Sequence, residues 1–428
     1  MKFKPRIWHL LILTWLVIII FRAELLFNLI LLWIKYSYLL MSEFGNAIHI
    51  LDFNLFDALL SIKLFLIIPV LLYAFRKRLS WLKNSINFSY TVIVLLMMSF
   101  IFALVITDEN PDFQKDLKAT KLLSPFSTVM ILHLNKGEMS QGTSFEEFIN
   151  YKNDILKPSY DESIVIASSV KIISDNIFYS QKGVEKNITL SALRVNNGLP
   201  DITGKTYILG TDEFGRDIFA RIIYGTRISL LVGICAVMVS LVIGLFLGFI
   251  AGFKGGVIDI IFSRLTDLFL AFPIIYLVVL ILALFGNSIT SVIVVLGLSG
   301  WMSLFKIVKS EVLSEKSKDY ILTAGMLGLT KRKILTNEIL PVIFIPLVVS
   351  IVFQFSNVIL AESALSYLGL GTGSSYPSWG AMIESGQRYV TKAWWMISFP
   401  GLILILTIFS ANDFGKKLNR SINPGVSK

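Results

Sequence analysis

Long apolar runs separated by short charged segments dominate the chain. A helix crossing a bilayer needs about 20 mostly apolar residues, because in hydrocarbon every backbone N–H and C=O must be bonded within the segment. Six stretches meet that requirement: Ser89–Thr107, Ile228–Ala251, Leu268–Phe285, Ile289–Val308, Ile339–Leu360 and Trp394–Ala411. Upstream, Leu55–Phe75 is long enough although it carries Lys63, whereas Ile7–Phe21 and Leu25–Leu40 are short or interrupted by Arg22, Glu24 and Lys35. Two spans are expected from these three. The pattern predicts an all-α polytopic membrane protein with six strong spans and about two extra N-terminal ones.

Basic residues fix the expected orientation, since short cytoplasmic loops carry the excess of Lys and Arg. Arg76, Lys77, Arg78 and Lys83 precede the Ser89 span, and Lys306, Lys309, Lys316, Lys318, Lys331, Arg332 and Lys333 surround the segment before the Ile339 span. Lys2, Lys4 and Arg6 at one end and Lys416, Lys417 and Arg420 at the other place both termini inside too, which requires an even number of crossings. Eight crossings satisfy every loop. The first apolar stretch lacks a small-residue cleavage site after Phe21 and is expected to remain as an anchor.

One polar segment interrupts the apolar pattern. Residues 108–205 hold more acidic than basic residues and reach the length of a small domain. This places them outside the cytoplasm. Alternation in Ser163–Ile173 and Asn187–Leu193, punctuated by Pro158, Gly183, Gly198, Pro200 and Gly204, predicts strands, hence a small extracytoplasmic α/β or mainly β insertion. The expected organisation is an extra membrane region over 1–88, a first core span over 89–107, the insertion over 108–205, and the remaining core over 206–428.

Composition narrows the function. Of 428 residues 55% are hydrophobic and 16% charged, with a mean hydropathy of +0.72, which excludes an ordinary soluble enzyme. The net charge of +10 lies beside the apolar runs, so it reads as membrane topology and not as a nucleic-acid surface. One cysteine, Cys235, and three scattered histidines, His9, His49 and His133, offer no zinc cage, disulfide or Cys/His relay. No metal or cofactor is expected.

The densest chemistry directly follows the insertion. Leu209-Gly-Thr-Asp-Glu-Phe-Gly-Arg-Asp217 is followed by Arg221 and by Tyr224-Gly-Thr-Arg-Ile-Ser-Leu230 at the mouth of a span. Charges at such a place must be solvated or paired. Asp212, Glu213, Arg216, Asp217 and Arg221 therefore read as an interfacial network, with Gly210 and Gly215 permitting turns. The string closely resembles the LGTDxxGRDxxxRxxYGxRxSL signature of the second inner-membrane permease subunit of ABC importers for dipeptides, oligopeptides and nickel. The resemblance continues through Ala251-Gly-Phe-Lys-Gly-Gly256, Asp259, Arg264, Asp267, Ala271-Phe-Pro273, Trp301, Ala364-Leu-Ser-Tyr-Leu-Gly-Leu-Gly371, Pro377-Ser-Trp-Gly380, Phe399-Pro-Gly401 and Asn412. It covers roughly Ser89 to Pro424 and leaves residues 1–88 and most of the insertion unmatched.

That resemblance implies a six-helix ABC importer permease core that pairs with a sister permease, works with two ATPase subunits and an extracytoplasmic substrate-binding protein, and moves a peptide-like substrate across the lipid bilayer. It implies that Gly210, Asp212, Gly215, Arg216, Asp217, Arg221 and Arg227 organise the outer interface. The segment Asp319-Tyr-Ile-Leu-Thr-Ala-Gly-Met-Leu-Gly328, within a loop spanning 309–341, resembles the coupling loop whose short helix docks in a groove of the ATPase. Small residues Ala324, Gly325 and Gly328 would seat it closely, Leu322, Met326 and Leu329 offer apolar anchors, and Pro341 suits the first turn of the next span. Departures are Leu322 and Thr323 where the wider motif has Glu and Ala, Glu338 where these permeases often have His, and a basic tail after Asn412.

Other signals are weaker. Gly369-Leu-Gly-Thr-Gly373 lacks the strand and helix that a phosphate cradle needs, and no GxxxxGK[ST] occurs, so ATP hydrolysis is expected of partner subunits and the chain itself is expected to be a non-catalytic transport subunit. The serines ending at Tyr376 have no nearby His partner. Lys35 and Lys63 are expected to snorkel from span ends. Nickel or another small solute is the alternative cargo. The alternative class is an ion-coupled secondary transporter, which would keep its own buried carboxylates; Glu362 alone lies within a core span and no internal repeat is visible.

Overall fold

The computed structural model describes residues 6–75, 86–107, 109–135, 144–173, 175–196, 199–271, 273–371 and 376–422. Lys2 and Lys4, the basic cluster at 76–83, Asp108, Gly198, Phe272, Gly373, Ser374, Ser375 and Pro424 lie outside the described residues. The chain divides into two compact units. The first comprises Met1–Asn87, Val94–Arg227 and Ser385–Pro400, and the second Phe88–Ile93, Ile228–Glu384 and Gly401–Lys428.

The N-terminal part of the chain forms α1 (Ile7–Ser42), α2 (Phe44–Ile50), α3 (Phe53–Ala74) and α4 (Phe88–Ile106). The two interrupted apolar stretches of the sequence are one helical element, α1, with non-helical dihedrals at Arg22 (φ −126°, ψ 20°). Its two arms meet neighbouring parts of α3: Trp15 stacks on Phe65 at 5.1 Å, and the Lys63 ammonium lies over the Trp33 ring at 5.7 Å. Lys35 likewise sits 4.0 Å over Tyr151. Both lysines thus rest on aromatic faces, which attract cations electrostatically.

The insertion contains α5 (Leu117–Thr120), β1 (Ser127–His133), α6 (Ser144–Ile155), β2 (Ile164–Ala167), β3 (Ser169–Ile173), β4 (Asn176–Gln181), β5 (Val184–Thr189), β6 (Val195–Asn196), β7 (Leu199–Pro200) and β8 (Ile202–Tyr207). One antiparallel sheet runs β2-β1-β8, with Met130 opposite Ala167 and Ile131 opposite Thr203. A second runs β3-β4-β5, and β6 pairs with β7. The alternating run Ser163–Ile173 is two strands that change sheet at Ser168, while Asn187–Leu193 leaves β5 at Thr189 and closes in a 3₁₀ turn over Leu190–Ala192. Small apolar clusters hold the layers: Phe113, Ala119, Val129, Ile166 and Tyr207 in one, Leu132, Ala167, Ile177, Tyr179 and Leu193 in the other.

Beyond the insertion come α7 (Ile218–Lys254), α8 (Gly256–Ala271), α9 (Ile274–Phe285), α10 (Ile289–Lys316), α11 (Asp319–Met326), α12 (Lys331–Lys333), a π-helical turn over Ile334–Ile339, α13 (Leu340–Tyr367), α14 (Trp379–Gln387) and α15 (Trp395–Ile422). Among the described residues, seven helices are long and apolar enough to cross a membrane: α1, α3, α4, α7, α10, α13 from Pro346, and α15 up to Arg420. The expected span Leu268–Phe285 is not one helix. Pro273 has no N–H to donate and its ring disfavours helix in the residue before it, so the stretch divides into α8 and the 12-residue α9.

Within the second unit, α7 and α10 approach closely along a stripe of glycines. A Cβ at Gly244 would stand 2.7 Å from the Leu304 Cβ, one at Gly248 2.8 Å from the Val308 Cβ, and one at Gly252 2.9 Å from the Val312 Cβ. The spacing of four puts all three glycines on one helix face, the small-xxx-small pattern by which membrane helices gain packing contacts that lipid tails cannot supply. Gly297 of α10 returns the arrangement against Val239. Because the obstacles are Cβ atoms and not flexible tips, overpacking cannot be relieved by a rotamer change. Gly248→Val should lower the thermal midpoint of the purified full-length chain, at a cost of about 1–3 kcal/mol, whereas Gly401→Ala, where nothing stands within 4 Å, should leave it unchanged. Equal effects in a detergent melting assay would contradict this packing.

Candidate functional site

Residues Gly210–Ile218 form a closed loop at the start of α7. Ile218 N–H donates to Gly210 O at 3.1 Å, and Asp212 N–H to Arg216 O at 3.0 Å. Gly215 has φ 72°, in the left-handed region that favours glycine, and a side chain there would run into Thr120 of α5. At Gly210 a Cβ would stand 2.5 Å from Leu123 O. Both glycines of the motif therefore let the loop press onto the insertion. Thr211 completes the seam: its Oγ accepts from Leu123 N–H at 2.8 Å and donates to Thr120 O at 2.5 Å, while its carbonyl accepts from Trp395 Nε1 at 3.1 Å.

Asp212 organises the charges. Its Oδ1 accepts from the Phe214 and Arg216 amides, both at 2.9 Å, and its Oδ2 from Arg216 Nε at 2.6 Å. Arg221 Nε lies 3.7 Å from the same Oδ2, and Arg221 Nη1 donates to Asp112 Oδ1 at 2.9 Å and to Pro111 O at 3.2 Å. Asp212, Arg216 and Arg221 are all buried. Charges so placed survive only when paired, and removing one partner would strand the others. Asp217 instead caps α7, its Oδ1 accepting from Phe219 N–H at 2.9 Å. Burial pushes the Asp217 carboxyl above the usual carboxylate range, opposed by Lys205, whose own ammonium is pushed down to about 8 by burial. Glu213 is likewise raised, chiefly by burial.

Arg227, expected with this group, stands apart from it. Its Nη1 pairs with Asp57 Oδ2 at 2.6 Å, and its Nε and Nη2 donate to the Phe100 and Ile101 carbonyls at 2.7 and 2.9 Å. Those carbonyls lie just before Phe102, where α4 leaves helical geometry (φ −112°, ψ 29°). A side chain satisfying freed carbonyls is a recognised cause of such a kink. The residues alone did not point to Asp57, Asp112, Thr211 or Trp395. Asp57 had a readable signal, a charge inside an apolar run; Asp112 had none, because its partner lies more than a hundred residues away.

In the second unit, the segment expected to couple is the helix α11. Glu315, buried at the end of α10, accepts from Lys318 Nζ at 2.5 Å and from Tyr320 OH at 2.8 Å, which fixes the entry to that helix. Ile321 is buried against Val312, Ile334, Ile339 and Ile343, and Ala324 packs half-buried on the same cluster. Ala324 thus faces the chain's own core, a correction to its expected place on a docking face. The opposite side presents Leu322, Gly325, Met326, Leu327 and Leu329, with Met326 86% exposed. Gly328 ends the helix with φ 85°; its N–H donates to Gly325 O, and Leu329 N–H to Ala324 O, closing a Schellman cap. Gly328 thus supplies the left-handed turn that ends α11. Pro341 stands in the first turn of α13, directly after the π-helical turn over Ile334–Ile339, where its missing N–H is harmless.

Glu362 of α13 is buried, with Oε1 accepting from Ser366 Oγ at 2.9 Å. Gly380 of α14 packs against the same turn, where a Cβ would stand 2.6 Å from the Ser366 Cβ, and Trp379 N–H donates to Ser229 Oγ at 3.2 Å. The carboxylate belongs to a hydrogen-bonded helix contact.

Residues 244–424 match the family described as binding-protein-dependent transport system inner membrane component. The chain is 34% identical over 218 residues to the di/tripeptide transport system permease protein DppC of Pseudomonas aeruginosa, covering 51% of this chain and 72% of that one. It is 37% identical over 215 residues to the dipeptide transport system permease protein DppC of Alkalihalophilus pseudofirmus, covering 50% and 71%. The chain belongs to this permease family. A methionine ABC transporter in an inward-facing conformation is similar with a TM-score of 0.40 and 17% identity, covering 47% of this permease and 96% of that chain. The family makes the protein a multi-pass inner-membrane transport component and displaces the ion-coupled alternative. Most of the charged network, with Asp57, Asp112 and the Gly210 loop, lies upstream of the residues matched to the family.

Proposed function

We infer that the permease is one of two membrane subunits of an ATP-driven importer for di- or oligopeptides. The names of its relatives support that cargo. It pairs with a sister permease, receives substrate from an extracytoplasmic binding protein, and is driven by two cytoplasmic ATPases. The observation that carries the coupling is the apolar side of α11, where Leu322, Met326 and Leu327 are exposed among the described residues. An amphipathic helix with one free apolar face fits a groove on a partner. The buried side, through Ile321, joins that contact to α10 and α13, so a push on α11 reaches the membrane helices directly. Both termini and α11 lie in the cytoplasm, and the insertion lies outside, where the Gly210 loop holds it against the entry to α7.

Gly328 is a poor probe of docking, because any side chain there is strained at positive φ. Leu322→Asp with Met326→Asp tests it without disturbing the core. Each replaced anchor of this type costs over ~1 kcal/mol at an interface, so together the recovery of ATPase subunits with the permease should fall at least tenfold. Uptake of a labelled tripeptide should collapse while the sister permease still co-purifies. Normal ATPase recovery with normal uptake would overturn the coupling role, and uptake of nickel in place of peptide would overturn the cargo. For orientation, Ser191→Cys in a Cys235→Ser background should react with an impermeant thiol reagent in spheroplasts. Labelling only after lysis would reverse the assignment of the insertion to the outside.

A further inference from the structure

The last two residues of α10 reach in different directions. Glu315 receives Lys318 and Tyr320 at the base of α11. Lys316 turns to α7 instead: its ammonium donates to the Phe253 carbonyl at 2.7 Å and lies 5.6 Å from the centre of the Phe253 ring. Phe253 is the penultimate residue of α7, so its carbonyl belongs to the last turn, where no following amide of the same helix can serve it. A lysine there satisfies the carbonyl and complements the negative end of the helix dipole.

The chain leaves α7 through Gly255 and Gly256. Gly255 N–H still donates to Ala251 O at 2.9 Å, but both glycines are left-handed, with φ 65° and 60°. A Cβ at either would meet nothing within 4 Å. Glycine is required here by backbone conformation and not by lack of space. The helix that follows, α8, buries one of its 16 residues, Thr266. One side of it leans on α10: Asp259 pairs with Lys309, Ser263 Oγ accepts from Lys309 Nζ at 2.7 Å, and Asp267 lies 3.1 Å from Lys306 Nζ. The Lys306–Asp267 pair is half exposed on both sides and costs little to break. α8 is thus a lightly buried rod between a two-glycine turn and Pro273.

We propose that Lys316 is a positioning residue of the transport cycle: it ties the base of α11 to the carboxyl end of α7, so that displacement of α11 turns α8 about Gly255 and Gly256. The inference rests on the coupling role proposed for α11. Its route is contiguous, from Tyr320 and Lys318 to Glu315, from there to the adjacent Lys316, and through Phe253 to the glycines. Hydrogen bonds between rigid helices carry such coupling when one element has two arrangements. Residues that absorb large φ/ψ changes at the end of an element are where such motions pivot.

The test uses the assembled importer in proteoliposomes, permease pair, ATPase subunits and binding protein together, and reads ATP hydrolysed per labelled tripeptide imported. Lys316→Met keeps a stem against Phe253 and removes the ammonium. ATPase subunits should still co-purify, and the ratio should rise about tenfold, the scale of one lost charge-assisted contact, as import falls while hydrolysis continues. Lys316→Arg, which keeps a donor, should restore most of the coupling. Gly255→Asn retains the left-handed turn, which asparagine tolerates, and narrows the range about it. It should raise the ratio too, and combined with Lys316→Met should add little, because both interrupt one route. Should Lys316→Met lower the melting midpoint, Gly255→Asn, whose Cβ meets no neighbour, carries the test alone. An unchanged ratio in both single variants would overturn the hinge and leave the importer reading standing. Loss of ATPase subunits from Lys316→Met would make Lys316 part of the docking element and equally overturn it. A parent complex that holds no ATPase subunits would overturn the coupling role of α11, and this inference with it.

Discussion

A chain this apolar cannot leave a charge unpartnered away from water, and that constraint determines how its first unit is assembled. The Gly210 loop and the first turns of α7 bring arginines to the helix entry, and each recruits an anion or carbonyl from a segment distant in sequence. Arg216 and Arg221 converge on Asp212 and Asp112. Arg227 takes Asp57 from α3 and two backbone carbonyls from α4. The extra N-terminal helices and the insertion are thereby fastened to the same helix entry. With both side chains of the Arg227–Asp57 pair about 15% exposed (16% and 15%), losing one partner leaves a charge in a largely water-free setting.

The second unit is held by close approach instead of charge. Glycines spaced by four on α7 receive Leu304, Val308 and Val312 of α10, and the apolar cluster continues through Ile321 into α11. A short helix ending in a glycine cap could not persist on its own propensity. Ile321 and the Glu315–Tyr320 contact anchor it, and this leaves its other face available to a partner. Stiff packing behind an exposed apolar face is what force transmission between subunits requires.

Much of this was legible in the residues. Span positions follow from apolar length, and every strong core stretch is helical except Leu268–Phe285, where Pro273 overrides hydropathy. The insertion's strands were visible as alternation, but the change of sheet at Ser168 was not, since nothing local distinguishes it from a continued strand. Gly210, Asp212, Gly215, Arg216 and Arg221 came together as their spacing suggested. The grouping of Arg227 with them failed because its partner, Asp57, lies in a segment with no sequence link to the motif. Ala324 and Gly328 were read from residue size alone; their roles, inward packing and a left-handed cap, depend on helix phase and on φ, which size does not report.

The claim that buried pairing fastens the N-terminal helices to the entry of α7 is tested most directly by a double-substitution cycle at Asp57 and Arg227, read as the thermal midpoint of the full-length chain in detergent. Asp57→Leu and Arg227→Met should each destabilise by about 3 kcal/mol, and the double variant, with no charge left to strand, should recover most of the loss. Two losses that simply add in the double variant would show that the residues act independently, and the account of how this unit is held together would be wrong.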